Sequence, residues 1–146
     1  MKTNSPVFQR PDFFFAILVG IWGFALYIRT LAPSVLSGDS AEFQTLFYTL
    51  GMTHTSGYPV YILIGKLFTL LPIQTIAYRA NLTSAFFASI AIVEVYFIIY
   101  LLGRWRVGAL VGAFALAHTP IFWRYAIIAE VYSLALVFSL SILFLI

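Results

Sequence analysis

The chain has no cysteine and very little charge. The first absence removes disulfides, cysteine metal sites and any redox clue to compartment. The second says more. Charged residues make up 9% of 146 positions, against roughly 25% in a soluble domain. So few polar groups cannot cover a folded surface in water. No basic run interleaved with aromatics marks a nucleic-acid surface, and no internal repeat or low-complexity tract is visible. What is present is apolar: 62% hydrophobic and 18% aromatic residues, with mean hydropathy +1.00. The natural solvent of such a chain is lipid, and the class it implies is an all-α, polytopic membrane protein. Leu143 to Ile146 stop inside an apolar run, where a finished membrane protein normally ends in a polar tail. The expectation is an N-terminal fragment of a longer protein.

Apolar runs alternate with short polar ones. Residues 1–12 are polar, with Lys2, Arg10 and Asp12. An apolar run from Phe13 extends to Ala32 and matches the roughly 20 residues needed to cross a hydrocarbon core. It is longer than the 7–15 residues or so of a signal-peptide core, so an uncleaved anchor is expected. Residues 33–75 form the one extended polar region, with turns marked by Pro33, Ser37-Gly38 and Ser56-Gly57. Within it Ser40–Leu50 predicts a short amphipathic helix with Phe43, Leu46, Phe47 and Leu50 on one face. Tyr58–Leu71 is apolar but short for a span, which suits an interfacial helix. Further spans are expected over about 76–102, 107–122 and 128–146, with a second polar link over 118–130.

Cytoplasmic loops carry excess Lys and Arg. Lys2 and Arg10 mark the N-terminus, and Arg104 and Arg106 mark the 103–106 loop. If both face the cytoplasm, an even number of crossings separates them, so Tyr58–Leu71 does not cross. Loops 33–75 and 118–130 then share the outer face. The expected location is an integral membrane protein of a bacterial plasma membrane or the endoplasmic reticulum, with a cytoplasmic N-terminus.

Of the five carboxylates, Asp39, Glu42 and Glu130 fall on that outer side, Asp12 is cytoplasmic and Glu94 lies within a span. A carboxylate at membrane depth costs about 2.5–3.5 kcal/mol on insertion scales, so such residues normally have a partner or a task. Asp39 and Glu42 fit a capping box, with Asp39 as the cap and Glu42 reaching back to it. A carboxylate held that way is also a rigid general base. Glu130 fits an acid at a helix N-terminus, and Glu94 an interhelical polar contact. Arg79 and Lys66 can snorkel to the interface, and Arg79 and Arg124 can also meet an anion. His54 fits a loop hydrogen bond. Asn81-Leu82-Thr83 matches a glycosylation sequon but falls inside a span, so it is set aside.

Four motifs in order carry a resemblance: Gly38-Asp39-Ser40-Ala41-Glu42, His54-Thr55-Ser56-Gly57-Tyr58-Pro59, Ala77-Tyr78-Arg79-Ala80-Asn81-Leu82 and Ala129-Glu130-Val131-Tyr132. Together they resemble the N-terminal part of a protein O-mannosyltransferase-like membrane family, which is similar to the GT-C superfamily of glycosyltransferases. The resemblance covers about residues 10–146. It implies a GT-C-like fold with two juxtamembrane helices in the first outer loop. It implies a polyprenyl-phosphate sugar donor, a protein or glycan acceptor, and one inverting displacement at the non-cytosolic face. Asp39 would be the general base with Glu42 beside it, and His54, Tyr58, Arg79, Arg124 and Glu130 would bind substrates. The family often shows two prolines after the histidine, where this chain has Thr55 and Ser56. No cofactor is certain; a divalent metal is possible, with Asp39 and Glu130 as its ligands if present. The alternatives are a multi-pass transporter using Glu94 and Arg79 along a pathway, and a non-catalytic lipid-binding membrane subunit.

Overall fold

A computed structural model describes residues 7–55 and 57–146. Lys2, of the N-terminal charge pair, and Ser56, of the Ser56-Gly57 turn, lie outside the described residues. Among the described residues the structure is helical throughout: α1 (Arg10–Thr30), α2 (Asp39–Thr49), α3 (Pro59–Thr69), α4 (Ile76–Gly103), α5 (Arg106–His118), α6 (Pro120–Ala126) and α7 (Tyr132–Leu145). This is an all-α membrane protein. Two helices, α1 and α4, are long and apolar enough to cross a bilayer, and α5 with α6 makes a third if the bent pair is one span. At 1.5 Å per residue α1 is about 31 Å long, the thickness of a hydrocarbon core, whereas α3 is only about 16 Å.

Local chemistry sets the helix ends. The Gln9 N–H donates to the Asp12 carboxylate at 2.7 Å, which brings α1 in three residues ahead of the apolar run. At the start of α4, Thr75 accepts from the Tyr78 N–H at 3.2 Å. At its end Arg104 turns left-handed and its N–H returns to the Tyr100 carbonyl. The segment expected as one span over 107–122 is broken at Thr119, because Pro120 supplies no N–H, and α6 leaves α5 at 67°. The helix expected from 128 begins at Tyr132, because residues 127–131 are held as a turn against α4.

α4 is the axis. Every other helix packs against it, which is possible because it presents small residues. Ala80, Ala85, Ala88 and Ala91 are fully buried, and small residues let helices approach closely in lipid. On α1, a Cβ at Gly20 would stand 2.6 Å from Val93, and one at Gly23 would stand 2.5 Å from Ile92. The opposite face of α1 exposes Phe14, Ile17, Ile21 and Trp22, a large apolar stripe suited to lipid.

Two ends of the bundle differ in chemistry. At one, Arg106 pairs with the buried Asp12 at 2.6 Å and with the Gln9 side chain at 2.8 Å. Arg104 donates to the Val7 carbonyl there at 2.7 Å. The two basic segments of the sequence therefore share one end. At the other end lie residues 31–55 and 57–75, the head of α4, and the α6–α7 turn. There α2 and α3 pair through Phe43, Phe47 and Tyr61, whose rings meet edge to face at 4.9–5.1 Å. Gly65 makes this approach possible, since a Cβ there would overlap the Phe47 ring.

Candidate functional site

The polar end contains a cleft of about 470 Å³. One wall is residues 36–40, at the start of α2. The other is Arg124 and Tyr125 of α6, Ile127, Ile128 and Glu130 of the following turn, and Tyr132. The Gly-Asp-Ser-Ala-Glu and Ala-Glu-Val-Tyr stretches, about ninety residues apart, thus face one cavity.

Asp39 opens α2 but does not cap it. Gly38 takes the capping position with φ +71°, a left-handed conformation that L side chains rarely adopt. The expected capping box is therefore corrected: Glu42 does not reach back to the cap. Its carboxylate instead accepts from the His54 backbone N–H at 3.1 Å and lies 2.9 Å from His54 Nδ1. Hydrogen bonds from Thr53 and then from His54 hold the Glu42 carboxyl below its ordinary value, and the Glu42 carboxylate pushes the His54 imidazole above its own. This pair fastens the α2–α3 loop and does not line the cleft. Asp39 is left exposed, with no side-chain hydrogen bond among the described residues.

Glu130 precedes α7 rather than forming its first turn, so the expected helix-terminus acid is also corrected. It is 9% exposed, and among the described residues its carboxyl accepts no hydrogen bond. Burial, then the charge of Asp39, raises the Glu130 carboxyl above the usual range, partly offset by Arg124. Arg124 is the one cation on the cleft wall among the described residues. It is exposed and lies 6.0 Å from the Tyr125 ring.

The structure does not bring the other expected substrate contacts into the cleft. The Arg79 guanidinium is taken up by backbone carbonyls, Thr69 at 2.6 Å, Gln74 at 3.2 Å and Thr75 at 3.3 Å, where it ties the end of α3 to α4. Tyr58 meets Phe43 and His54 edge to face and lines an apolar groove between α3 and α7. Lys66 donates to the Tyr48 carbonyl at 2.6 Å, closing the end of α2. Glu94 is an interhelical contact, accepting from Ser141 of α7 at 2.6 Å.

The residues that assemble the cleft were missed in the sequence. Asn81, Ser84 and Gln44 are buried. Asn81 accepts from Gln44 Nε2 and from the Ala129 N–H, both at 2.9 Å, and donates to the Ala32 carbonyl at 2.8 Å. Ser84 Oγ bonds the N–H and the carbonyl of Glu130, each at 3.1 Å, and the Tyr61 hydroxyl at 3.0 Å. Their three-residue spacing puts both on one face of α4. Polar side chains in an otherwise apolar span were the available signal, since in lipid they must find partners.

Among the described residues no three His, Cys, Asp or Glu side chains gather to hold a metal. Asp39 and Glu130 offer two carboxylates, whereas an octahedral or larger oxygen shell needs six or more ligands. Water or substrate oxygens would have to supply the rest.

The family described as protein O-mannosyl-transferase TMEM260 N-terminal domain matches residues 39–146. The mouse protein O-mannosyl-transferase TMEM260 is 33% identical over 111 residues, which are 75% of this chain and 16% of that protein. The Dictyostelium discoideum protein of that name is 30% identical over 123 residues, 82% of this chain and 15% of that protein. The chain thus spans about one sixth of the length of these relatives. No solved structure matches.

Proposed function

The chain belongs to the protein O-mannosyl-transferase TMEM260 N-terminal domain family, and from that premise we propose that it forms one side of the active site of a GT-C-type membrane glycosyltransferase. The enzyme transfers a mannose-like sugar from a polyprenyl-phosphate donor to a hydroxyl of a protein or glycan acceptor. It works at the non-cytosolic face of a bacterial plasma membrane or the endoplasmic reticulum, with the N-terminus cytoplasmic. The observation that carries this reading is the cleft that joins Asp39 to Glu130 and Arg124.

In the proposed step the acceptor oxygen attacks the anomeric carbon and its proton passes to the Asp39 carboxylate. The bond from the anomeric carbon to the phosphate oxygen breaks, and the polyprenyl phosphate leaves. One displacement inverts the anomeric centre. Asp39 suits a general base because it is exposed to an incoming hydroxyl and no neighbouring side chain among those described occupies it. Arg124 suits the leaving phosphate, where charge builds in the transition state. Glu130 suits an acceptor- or sugar-binding group, since it lines the cleft opposite Asp39 and its carboxyl has no hydrogen-bond partner among the described residues. An apolar slot of about 410 Å³ between α6 and α7 shares Tyr125 and Tyr132 with the cleft. Adjacent polar and apolar chambers suit an amphiphilic donor. Glu42 and His54 brace the loop beside this site. A divalent ion, if the enzyme uses one, would take Asp39 and Glu130 as ligands.

The test is a transfer assay with purified full-length protein, polyprenyl-phosphate mannose and hydroxyl-bearing peptide acceptors, with product read by mass and anomeric configuration by NMR. The expected product carries one added hexose with inverted configuration. Retained configuration overturns the single displacement, and no transfer with any acceptor overturns the assignment.

A further inference from the structure

Asn81 sits fully buried on α4, and its three partners belong to three different segments. Gln44 is on α2, the helix that Asp39 opens. Ala129 is the residue before Glu130. Ala32 begins the link that runs into the cleft wall at Leu36, whose N–H bonds the Gln44 side chain at 3.3 Å. The circuit closes outside Asn81 as well, since the Ala32 N–H donates to the Ile127 carbonyl at 3.1 Å. A single carboxamide thus grips both walls of the cleft from beneath. The chemistry is specific to this side chain. Two of its bonds need an acceptor and the third needs a donor, so aspartate loses the bond to Ala32 and leucine loses all three.

We infer that Asn81 is a positioning residue, setting the separation of Asp39 and Glu130 across the cleft without itself meeting substrate. Its kinetic consequence rests on the transferase reading above; its geometric content does not. Reacting groups misplaced by about 1 Å cost up to ~100-fold in rate.

The experiment uses full-length protein in a cysteine-free background, with spin labels at Ser37 and Ile128 on opposite walls and the label distance read by pulsed EPR. Asn81→Leu is expected to broaden or displace the distance distribution and to lower kcat about 10- to 100-fold. The loss is expected in kcat and equally in kcat/KM, as for reacting groups misaligned in an otherwise intact site. Asn81→Asp, which keeps two acceptor bonds, should give a smaller displacement; if the leucine variant does not fold, the aspartate variant decides by the same readouts. An unchanged distance distribution in the folded variant overturns the inference, as does a kcat loss wholly explained by a lower folded fraction. If the unmutated protein transfers no sugar, the transferase reading fails, and the label distance alone still decides whether Asn81 sets the cleft.

Discussion

Asp39→Asn separates chemistry from folding more cleanly than any other change in this chain. The side chain is exposed, opens a helix whose cap is Gly38, and has no hydrogen bond to lose among the described residues. Exposed substitutions of this kind normally change stability by within about 0.5 kcal/mol, so the variant should fold and insert normally. Helix-dipole complementarity supplies at most a few tenths to ~1 kcal/mol at such a position. A positioned general base, in contrast, contributes about 10²- to 10⁴-fold, which is roughly 2.7–5.4 kcal/mol of barrier. The expected result is a kcat loss of about 10²–10⁴ with little change in expression or thermal stability. Initial rates of hexose transfer by full-length protein, normalised to folded enzyme by size-exclusion chromatography, measure it. A variant within threefold of the unmutated rate would refute the base assignment. A variant that loses activity only by failing to fold would refute the claim that Asp39 carries no structural duty.

Other predictions address the scaffold, the loop and the orientation. Tyr27→Phe removes the hydroxyl that donates to the Ala117 carbonyl at 2.9 Å, at the end of α5 just before the bend, while keeping the ring packed on Phe122 and Trp123; an unpaired buried carbonyl costs about 1–3 kcal/mol, read by graded detergent denaturation. The Glu42–His54 contact should be pH-dependent. The imidazole is raised from its ordinary 6.5, so its contribution is present below 6.5 and is lost as pH rises through the raised value. The carboxyl is lowered from 4.5, so its contribution is present above 4.5 and is lost as pH falls through the lowered value. Hydrogen exchange at residues 50–55 should therefore be slowest relative to Glu42→Gln between those values, and a flat difference across pH would remove the latch. A cysteine at Thr53 should react with a membrane-impermeant reagent in intact cells or sealed microsomes of non-cytosolic-side-out orientation, and one at Trp105 should not; the reverse pattern inverts the proposed topology.

The sequence by itself determined the solvent of this protein and the location of its longest helices. Hydropathy is a property of residues summed over a short window, so the runs that became α1 and α4 were legible to within a few residues, and so was the shortness of α3. The two ends of the bundle were legible too, because Arg104 and Arg106 lie an even number of long apolar runs from the N-terminus. Only the tertiary structure decided which polar groups meet. Glu42 had a good local partner in its own helix cap, but a loop histidine twelve residues away satisfies its carboxylate instead. Arg79 had the charge for an anion, but carbonyls left bare where α3 ends capture it first. Asn81 read as part of a sequon misplaced in an apolar span and proved to be the junction of three segments. Such outcomes depend on the distances between chain segments that α4 packs together, and no window along the chain contains those distances.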